Sequence, residues 1–503
     1  MLLSSHAENA CQLPVAWRSP VGNGQMNVLV AWPGSYIGRR LTRDLLGHDD
    51  LRIRLLVKDA RWVNEFAQHA VEIVEGDALN DEALRRAVTG INVAYFPLRF
   101  LGTDRKFGEI SRAFAQRFKD SCIEAGVKRI VYLGFPGRGD TGNEFVDTME
   151  DVGRILSSSP ERIQTVWLRA GFVIGSGSVL FEVLRNLVQK SPVLIAPRWM
   201  ETKVRSIGIT DLLKYLAQAK DVDARGPLVA DIGLQPMSVR EMLLVTSRVM
   251  GLKRFFVPIS VEARRLSSLV LMFTSPFSFA IASLFIRILQ TVEHASIDMA
   301  QGNAPHYFPG ISPLPFETAV EKAIDAIMRE QVFSRWTDSL AGISYSEDEQ
   351  DLSKSLFRDI KIKNFGDIPK HKIFRAITSI GGRRGWFSFD ILWRIRGLLD
   401  KLSGGFGTSV GRRVASELRV GDLLDVWKVV DIQENRRLLL EAQMKVFGRA
   451  WLEFRIEGDT LVQTAYHYPQ GLLGRFYWYS MLPFHVFIFK DMAESIIHRA
   501  RTL

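Results

Sequence analysis

The first third of the chain alternates short apolar runs with longer segments in which apolar residues recur every three or four positions. The apolar runs predict six β-strands, at residues 27–31, 51–57, 71–74, 91–96, 129–133 and 164–168. The periodic segments predict α-helices between these strands, at residues 36–46, 105–125 and 144–156. Strands that alternate with helices at this spacing form a parallel, doubly wound sheet with right-handed crossovers. The pattern therefore predicts an α/β Rossmann domain.

The pattern changes after about residue 330, where glycine and aromatic residues recur without the alternation of strand and helix. Apolar runs there predict four strands and a closing helix, at residues 423–430, 437–444, 450–455, 460–468 and 481–499. An antiparallel sheet closed by a long helix is an α+β module with room for an internal cavity.

This reading divides the chain into two domains. Residues 26–330 form the Rossmann domain with a substrate-side extension, and residues 350–503 form the second domain. The linker is expected at residues 330–349. Residues 1–25 lack a charged start followed by an apolar core, so we expect a loose extension rather than a secretory signal.

One apolar stretch raises the question of a membrane. No charged residue occurs between Leu266 and Ile286, a length that could cross a bilayer. Serine and threonine side chains interrupt the stretch, and Pro276 would break or kink a helix. Three interpretations stay open: a span, a segment that dips into a membrane surface, and a buried or ligand-facing segment. We predict a cytoplasmic protein and leave open a peripheral contact with a membrane or a membrane complex.

Composition excludes several classes of protein. Hydrophobic residues make up 47% of the 503 and charged residues 24%, which is typical of a folded chain and not of a disordered or collagen-like one. Only two cysteines occur, Cys11 and Cys122, which indicates a reducing compartment. The nine histidines show no ligand spacing, so no metal site is predicted. The net charge of +10 favours anionic small molecules or an acidic surface, and no nucleic acid is expected.

The turn after the first predicted strand is the first candidate site. A dinucleotide-binding fold has three spaced glycines there, and backbone amides at the start of the next helix receive the pyrophosphate. Here Trp32, Ser35 and Gly38 occupy the three positions, and Gly34 lies one place out of step. We expect phosphate at Ser35 and at the amides of Tyr36 and Ile37. The alternative is a retained fold whose nucleotide site is partly filled by the indole of Trp32.

Further cofactor contacts are predicted at the ends of the following strands. Lys58, after the second strand, could pair with a 2′-phosphate and so favours NADP over NAD. The alternative is a solvated pair of Lys58 with Asp59. Asp77 and Ala78 follow the third strand and are placed to touch adenine. The predicted cofactor site is completed by the residues at the ends of the fourth and fifth strands, Pro97 and Gly134.

These residues resemble a known family. The motifs Tyr36-Ile37-Gly38, Lys58-Asp59 and Gly76-Asp77 resemble an atypical short-chain dehydrogenase of the NmrA-like kind. Later motifs resemble bacterial members fused to a C-terminal domain of unknown function, among them Leu168–Gly171, Gly175–Ser178, Gly448–Phe454 and Tyr477-Trp478. That C-terminal domain is similar to START-like, helix-grip ligand-binding folds. The resemblance implies an NAD(P)-binding fold, an oxidoreductase activity and a hydrophobic small-molecule ligand.

The chain departs from that family at the catalytic residues. Enzymes of this class use a tyrosine acid with a lysine four residues later, and no Tyr-x-x-x-Lys follows the fifth predicted strand. Gly134 stands where a serine is expected. The catalytic residues are therefore unknown from sequence, and two functions stay open. One is an NADP-dependent oxidoreductase whose hydrophobic ligand is held by the C-terminal domain. The other is a cofactor-sensing or scaffold protein with a degenerate nucleotide site.

Three further motifs carry weaker expectations. Gly175–Ser178 is expected to form a turn near the cofactor or substrate cleft. Arg169 could hold an anionic group, although pairing with Glu150 or Glu182 is the favoured interpretation. The aromatic run Phe476–Tyr479 is expected in the core rather than as a lipid anchor, where it could line a hydrophobic pocket.

Overall fold

The computed structural model describes most of the chain outside its first 24 residues. The described residues are 25–77, 79–97, 107–137, 141–223, 226–259, 264–298, 303–341, 355, 357–382, 385–386, 390–402, 407, 411–414, 417–444 and 446–503.

The N-terminal part contains a parallel sheet and three small two-stranded sheets. Its strands are β1 Met26–Ala31, β2 Leu51–Val57, β3 Val71–Glu75, β4 Val93–Phe96, β5 Arg129–Gly134, β6 Gln164–Ala170, β7 Phe172–Ile174, β8 Val193–Ala196, β9 Lys203–Val204, β10 Ser206–Gly208, β11 Leu228–Ile232, β12 Met237–Ser238 and β13 Phe255–Pro258. The main sheet has seven strands in the order β11-β6-β5-β4-β1-β2-β3. The predicted Rossmann-type sheet is therefore confirmed, with strand ends within two residues of the predicted ones.

Helices cover both faces of this sheet. The helices of the N-terminal part are α1 Tyr36–Leu45, α2 Asp81–Val88, α3 Phe107–Glu124, α4 Glu144–Leu156, α5 Val179–Lys190, α6 Ile209–Ala219, α7 Val239–Val249, α8 Arg264–Thr274, α9 Phe279–Asp298, α10 Ala304–Tyr307, α11 Phe316–Met328 and α12 Asp338–Ala341. Short 3-10 helices lie at Ala60–Phe66 and Arg198–Glu201. Alternate side chains of β1 enter two separate cores, because successive strand residues point to opposite faces. One core contains α1 and α6, and the other contains α2, α3 and α4.

The order of the strands places a crevice at one edge of the sheet. Strand β1 pairs with β2 on one side and with β4 on the other. The chain runs outward from β1 in both directions, so the two sets of connections diverge there. Such a divergence is called a topological switch point. In open α/β sheets, ligands bind there, outside the carboxyl ends of the strands.

The apolar stretch from Leu266 to Ile286 forms two helices rather than one. Helix α8 ends at Thr274 and α9 begins at Phe279, so the chain breaks at Pro276 as predicted. Phe277 and Phe285 are buried in a core shared with α5, α7 and α11. Among the described residues, no helix is long and apolar enough to cross a membrane.

The C-terminal part is a six-stranded antiparallel sheet with helices on it. Its strands are β14 Phe357–Asn364, β15 Leu423–Leu424, β16 Trp427–Gln433, β17 Arg437–Ala442, β18 Gly448–Glu457 and β19 Thr460–Pro469, in the order β14-β19-β18-β17-β16-β15. Its helices are α13 Lys370–Ile377, α14 Asp390–Leu402 and α15 Gly471–Arg501. Phe489, Met492 and Ile496 of α15 are buried in one core with Leu452 and Phe454 of the sheet.

The prediction missed β14 and the helices α13 and α14, and two of the elements that it did give differ in their bounds. The run predicted as one strand at 423–430 is divided between β15 and β16, because Asp425 takes a φ of 56° in the left-handed region. The closing helix begins at Gly471 rather than at residue 481. The aromatic run Phe476–Tyr479 is therefore helical. Trp478 is buried, but Phe476 and Tyr479 are 74% and 61% exposed, so the expectation that the run is core was wrong for these two.

Candidate functional site

A cavity lies at the carboxyl edge of the seven-stranded sheet. It encloses about 60 Å³ and is lined from the starts of α1 and α5, from the residues after β5 and β6, and from the segment that leads into α12 together with the start of that helix. The lining residues are Tyr36, Ile37, Phe135, Gly171, Phe172, Val173, Ser178, Val179, Leu180, Trp336 and Ser339. This is the edge at which doubly wound sheets bind their ligands.

The turn between β1 and α1 has lost its first glycine but not its shape. Trp32 takes a φ of 56°, a conformation that favours glycine. Ser35 caps α1: its hydroxyl accepts a hydrogen bond of 3.0 Å from the backbone N–H of Gly38. A Cβ at Gly38 would lie 2.2 Å from the carbonyl oxygen of Trp32. The third glycine is therefore required by the close approach of the turn.

The indole of Trp32 packs against the core that contains α2, α3 and α4. Its ring centroid lies 5.2 Å from that of Phe114 in an edge-on contact. Trp32 follows β1, whereas Phe114 belongs to α3, the helix that follows β4. The indole thus contacts a helix from the other side of the switch point.

A second group lies over the start of α1. We call residues 332–339 the strap. The Ser334 hydroxyl donates to the carbonyl oxygen of Tyr36 at 2.9 Å and accepts from Nε of Arg40 at 2.9 Å. The Ser339 hydroxyl is the nearest acceptor for the Tyr36 N–H, at 3.5 Å. A hydroxyl of the chain itself therefore stands beside an amide predicted to receive phosphate.

The strap is anchored in the cavity wall. The backbone N–H of Trp336 donates to the carbonyl oxygen of Gly177 at 2.8 Å, and its indole meets the ring of Phe277 edge-on at 5.0 Å. Ser334 is fully buried and Trp336 is 3% exposed. The sequence placed these residues in a linker, yet they are part of the packed interior. The linker prediction missed this because serines and arginines around Trp336 resemble a solvated connection.

Two residues that line the cavity carry buried hydroxyls without a hydrogen-bond partner in the described part of the chain. They are Oη of Tyr36 and Oγ of Ser178. Burial raises the pKa of the Tyr36 phenol, and the guanidinium of Arg40, 4.9 Å from the ring centroid, opposes that rise only in part. Ser178 is near enough to lower this pKa, but the two hydroxyls do not meet in hydrogen-bond geometry. Buried polar groups are nearly always bonded, so these two hydroxyls are candidates to bind each other, a water or a ligand.

The predicted adenosine contacts lie together at the other end of the crevice. Nζ of Lys58 is 3.7 Å from a carboxylate oxygen of Asp77, and both side chains are solvent-accessible. Asp77 is thus a carboxylate partner of Lys58, whereas Asp59 caps the 3-10 helix Ala60–Phe66 and pairs with Arg61. Ala78 lies outside the described residues.

Other predicted site residues have structural partners. The carbonyl oxygen of Gly34 accepts from Nε of Arg39 at 3.1 Å. A Cβ at Gly134 would lie 2.5 Å from Nε1 of Trp167, so the close packing of that indole leaves room only for a glycine. Pro97 is buried at the end of β4. Neither Pro97 nor Gly134 lines the cavity.

Arg169 does not pair with either predicted acid. Its guanidinium forms two hydrogen bonds with the carboxylate of Asp231, at 2.6 and 2.9 Å. Asp231 lies opposite Arg169 in the register of β11 on β6. The expectation of Glu150 or Glu182 was wrong because the neighbouring strand is far away in sequence. Glu182 instead pairs with Arg185 at 2.6 Å.

Sequence reasoning missed most of the cavity wall. Ser178 was signalled by the Gly175–Ser178 turn, which does lie at the cleft. Phe172 follows a strand end and could have been suspected on that ground. Trp336 and Ser339 carry no local signal, because they reach the site only through the path of the strap.

These residues fit a dinucleotide at some points and obstruct it at others. The N-terminus of the ten-residue helix α1, the close turn at Gly38 and the accessible Lys58 suit a phosphate-bearing nucleotide. The indole of Trp32 occupies the position of the first glycine, and the hydroxyl of Ser339 lies 3.5 Å from the backbone nitrogen of Tyr36, so both crowd the turn that a pyrophosphate would contact.

Comparison with protein families matches two separate segments. Residues 35–166 match a family model described as NAD(P)H-binding. Residues 352–492 match one described as a protein of unknown function, DUF2867. No curated protein matches the chain.

Several solved structures are similar to the N-terminal part. Triphenylmethane reductase from Citrobacter sp., complexed with NADP(H), is 16% identical, with a TM-score of 0.47 over 59% of this chain and 100% of its own. An NADPH-dependent quinone oxidoreductase from Escherichia coli, complexed with NADPH, is 14% identical, with a TM-score of 0.46 over 58% and 98%. A nucleoside-diphosphate-sugar epimerase from Staphylococcus aureus is 15% identical, with a TM-score of 0.46 over 59% and 100%. At TM-scores below 0.5, none of these likenesses decides the function.

The family match and the topology agree on the N-terminal part. The matched segment spans α1, the crevice and the strands up to β6, and the sheet has the doubly wound order. The N-terminal part is an NAD(P)-binding Rossmann domain, with NADP or NAD as its cofactor.

Proposed function

We propose that the protein is an NADP(H)-dependent oxidoreductase of the atypical, NmrA-like short-chain kind, acting on a small hydrophobic ligand that carries one hydrogen-bond acceptor. The observation that carries this proposal is the pair of buried hydroxyls on Tyr36 and Ser178, two residues that line a mostly apolar cavity at the carboxyl edge of the sheet. A mostly apolar pocket with a few placed polar groups is typical of a small-molecule site.

Each group of this site has a distinct role in the proposal. Lys58 pairs with the 2′-phosphate, and the amides of Tyr36 and Ile37 receive the pyrophosphate. When bound, NADPH supplies a hydride. Because burial raises its pKa, the phenol of Tyr36 keeps its proton at Oη throughout the neutral range and donates it in a hydrogen bond to the acceptor of the ligand. Phe135, Phe172 and Trp336 exclude water from the ligand.

The C-terminal domain serves the site indirectly in this proposal. Its resemblance to START-like folds is supported by the antiparallel sheet and long helix α15. The described face between sheet and helix is filled by its own core side chains. We therefore place the ligand in the cavity of the N-terminal part, and the C-terminal domain holds the strap that closes that cavity.

A second candidate is favoured by the obstruction at the turn. If Trp32 and Ser339 keep the pyrophosphate out, the fold is a scaffold with a degenerate nucleotide site. Titration with nicotinamide nucleotides decides between the two functions.

Isothermal titration calorimetry with NADPH and with NADH tests the cofactor. We expect NADPH to bind more tightly than NADH, and Lys58→Ala to weaken NADPH by about tenfold while leaving NADH unchanged, since only NADPH offers a charge-assisted bond to the 2′-phosphate. Lys253→Ala, at an exposed lysine outside the site, is the control. No binding by wild type, with binding gained in Trp32→Gly/Ser339→Ala, would establish the scaffold.

Turnover of a panel of hydrophobic ketones, aldehydes and quinones tests the hydroxyls. We expect Tyr36→Phe and Ser178→Ala each to lower kcat/KM by about tenfold, the cost of one lost bond to a developing charge, with NADPH affinity unchanged. Tyr468→Phe, at an exposed tyrosine, is the control. Unchanged kcat/KM in both variants contradicts the proposed ligand site.

A further inference from the structure

Helix α8 exposes an apolar stripe on the side that faces away from the fold. Leu266, Leu269, Val270 and Phe273 are 52%, 41%, 39% and 46% exposed, and their spacing places them on one side of the helix. The opposite side of the helix, with Ser267, Ser268, Leu271 and Met272, is buried. Burying apolar side chains is the main source of folding free energy, so an exposed apolar stripe of four residues indicates that something outside the fold covers it.

The same arrangement occurs on two helices of the C-terminal part. On α14 the exposed apolar residues are Ile395, Leu398, Leu399 and Leu402, at 48–64% exposure and again at helical spacing. On the first two turns of α15 and just beyond they are Leu472, Leu473, Phe476 and Tyr479, at 61–82%. We call these residues, with the four of α8, the apolar face.

Contacts place α14 between the other two helices. Nζ of Lys401, near the end of α14, donates to the carbonyl oxygen of Met272 in α8. The guanidinium of Arg396 lies 5.2 Å from the ring centroid of Tyr477 in α15 and 3.7 Å from Sδ of Met481. The three stripes therefore belong to neighbouring helices rather than to distant parts of the surface.

The charges beside the apolar face are positive on α8 and on the first half of α15, whereas α14 carries three basic and two acidic residues. Helix α8 begins with the exposed Arg264 and Arg265 and contains no acidic residue. The segment from Gly471 to Lys490 of α15 contains the exposed Arg475 and no acidic residue. Leucine, phenylalanine and tyrosine with flanking arginine are typical of helices that lie in a lipid interface and attract anionic headgroups.

We propose that the apolar face binds the surface of an anionic lipid bilayer peripherally. The inference is independent of the reaction carried out in the cavity. A second copy of the chain is a poorer occupant, because a symmetric pair would bring Arg264, Arg265 and Arg475 against the same charges. A bilayer offers instead both an apolar phase for the stripes and negative charge for the arginines.

Co-sedimentation of the full chain with vesicles tests this proposal. One set of vesicles is phosphatidylcholine alone, and the other is an equal mixture of phosphatidylcholine and phosphatidylglycerol. We expect binding to the mixed vesicles, weaker binding to the neutral ones and a decline with added salt, because salt screens the arginine contribution. Leu269→Ser/Phe273→Ser and Leu473→Ser/Phe476→Ser should each lower the partition coefficient at least tenfold.

A matched control uses exposed apolar residues elsewhere. Ile360 and Ile362 on β14 are 52% and 63% exposed, and they point away from the sheet face on which Phe357 contacts α15. Ile360→Ser/Ile362→Ser should bind vesicles as wild type does. All three variants should keep the wild-type thermal unfolding temperature, since they alter exposed positions.

Three outcomes would overturn the proposal. Wild-type protein that binds neither vesicle type contradicts the proposal. Equal losses in the control and the face variants would show unspecific adsorption. A dimer in size-exclusion chromatography that the face variants dissolve, without vesicle binding, would assign the face to a second copy.

Discussion

At the scale of single residues, the turn after β1 shows how a fold can keep its geometry while its sequence motif decays. Trp32 holds the left-handed conformation that a glycine would adopt freely, and its indole gains contact with Phe114 in return. Gly38 was retained because the carbonyl oxygen of Trp32 leaves no room for a Cβ. Gly38 therefore has no room for a side chain, whereas a Cβ added at Gly34 would meet no atom within 4 Å.

This difference is testable by alanine substitution. Gly38→Ala should lower the free energy of unfolding by about 1–3 kcal/mol, because the new methyl group meets backbone that cannot move away. Gly34→Ala should change it by less than about 0.5 kcal/mol, since nothing lies within 4 Å of the added Cβ. Urea unfolding of both variants measures the contrast. Equal losses would mean that the turn is not packed as described.

A second residue-scale prediction concerns Lys401. Burial, reinforced by the nearby Lys190, lowers the pKa of Lys401 from 10.5 to about 8. Between these two values the unfolded chain binds more protons than the folded one, so this lysine makes the protein more stable as pH rises through the window. We expect the free energy of unfolding of wild type to rise from pH 8 to 10.5 relative to that of Lys401→Met, which lacks the titrating group. Parallel pH profiles would contradict the lowered pKa.

At the scale of elements, the strap is a connection that became part of the site. It has almost no regular structure before α12, yet it supplies Trp336 to the cavity and two hydroxyls to the first turn of α1. Its hydrogen bonds join it to α1, to Gly177 and to the C-terminal part, and most of its side chains are buried, so opening it requires that several long-range contacts break together. The Ser334 hydroxyl makes two of these bonds.

Hydrogen exchange can measure how firmly the strap is held. Ser334→Ala removes the bonds to the Tyr36 carbonyl oxygen and to Arg40, and a net loss of about 1 kcal/mol would raise the population of the open strap about fivefold. Mass spectrometry of the peptides that cover residues 332–341 should show that acceleration. Ser480→Ala, at an exposed helical serine, should leave the same peptides unchanged. Wild-type exchange in Ser334→Ala would show that apolar packing alone fixes the strap.

At the scale of the whole molecule, ionic contacts bind the two parts together around the strap. The carboxylate of Glu65 bridges Arg39 of α1 and Arg419 of the C-terminal part. Arg419 also donates to the carbonyl oxygen of Phe333 at 2.6 Å, and Arg413 to that of Val332 at 3.0 Å. The C-terminal part therefore holds the strap by its backbone, whatever side chains the strap carries.

A double-mutant cycle tests this contact between the parts. Glu65→Ala, Arg419→Ala and the double variant should give a coupling free energy of about 0.5–3 kcal/mol, because both side chains are largely buried. The matched cycle on the exposed pair Asp325 and Arg329 should give no more than about 0.5 kcal/mol. Chemical unfolding supplies all the values. Similar coupling in both cycles would show that the network contributes no more than a surface pair.

The sequence by itself determined the architecture of the N-terminal part. The alternation of apolar runs and helical periodicity is local, and each run in β1 to β6 has to be covered on both faces, so the doubly wound sheet follows from pattern alone. Local rules also predicted the break at Pro276 and the turn at Gly175–Ser178. Local sequence also predicted that Lys58 directly follows the second strand.

Only the tertiary structure decided the partners of these residues. Arg169 pairs with Asp231 because β11 lies beside β6. Trp336 and Ser339 line the cavity because the strap returns over α1. The exposed stripes of α8, α14 and α15 look in sequence like ordinary core residues. Periodicity reports that a helix has an apolar side, whereas the surface that covers that side depends on long-range contacts that no local pattern contains.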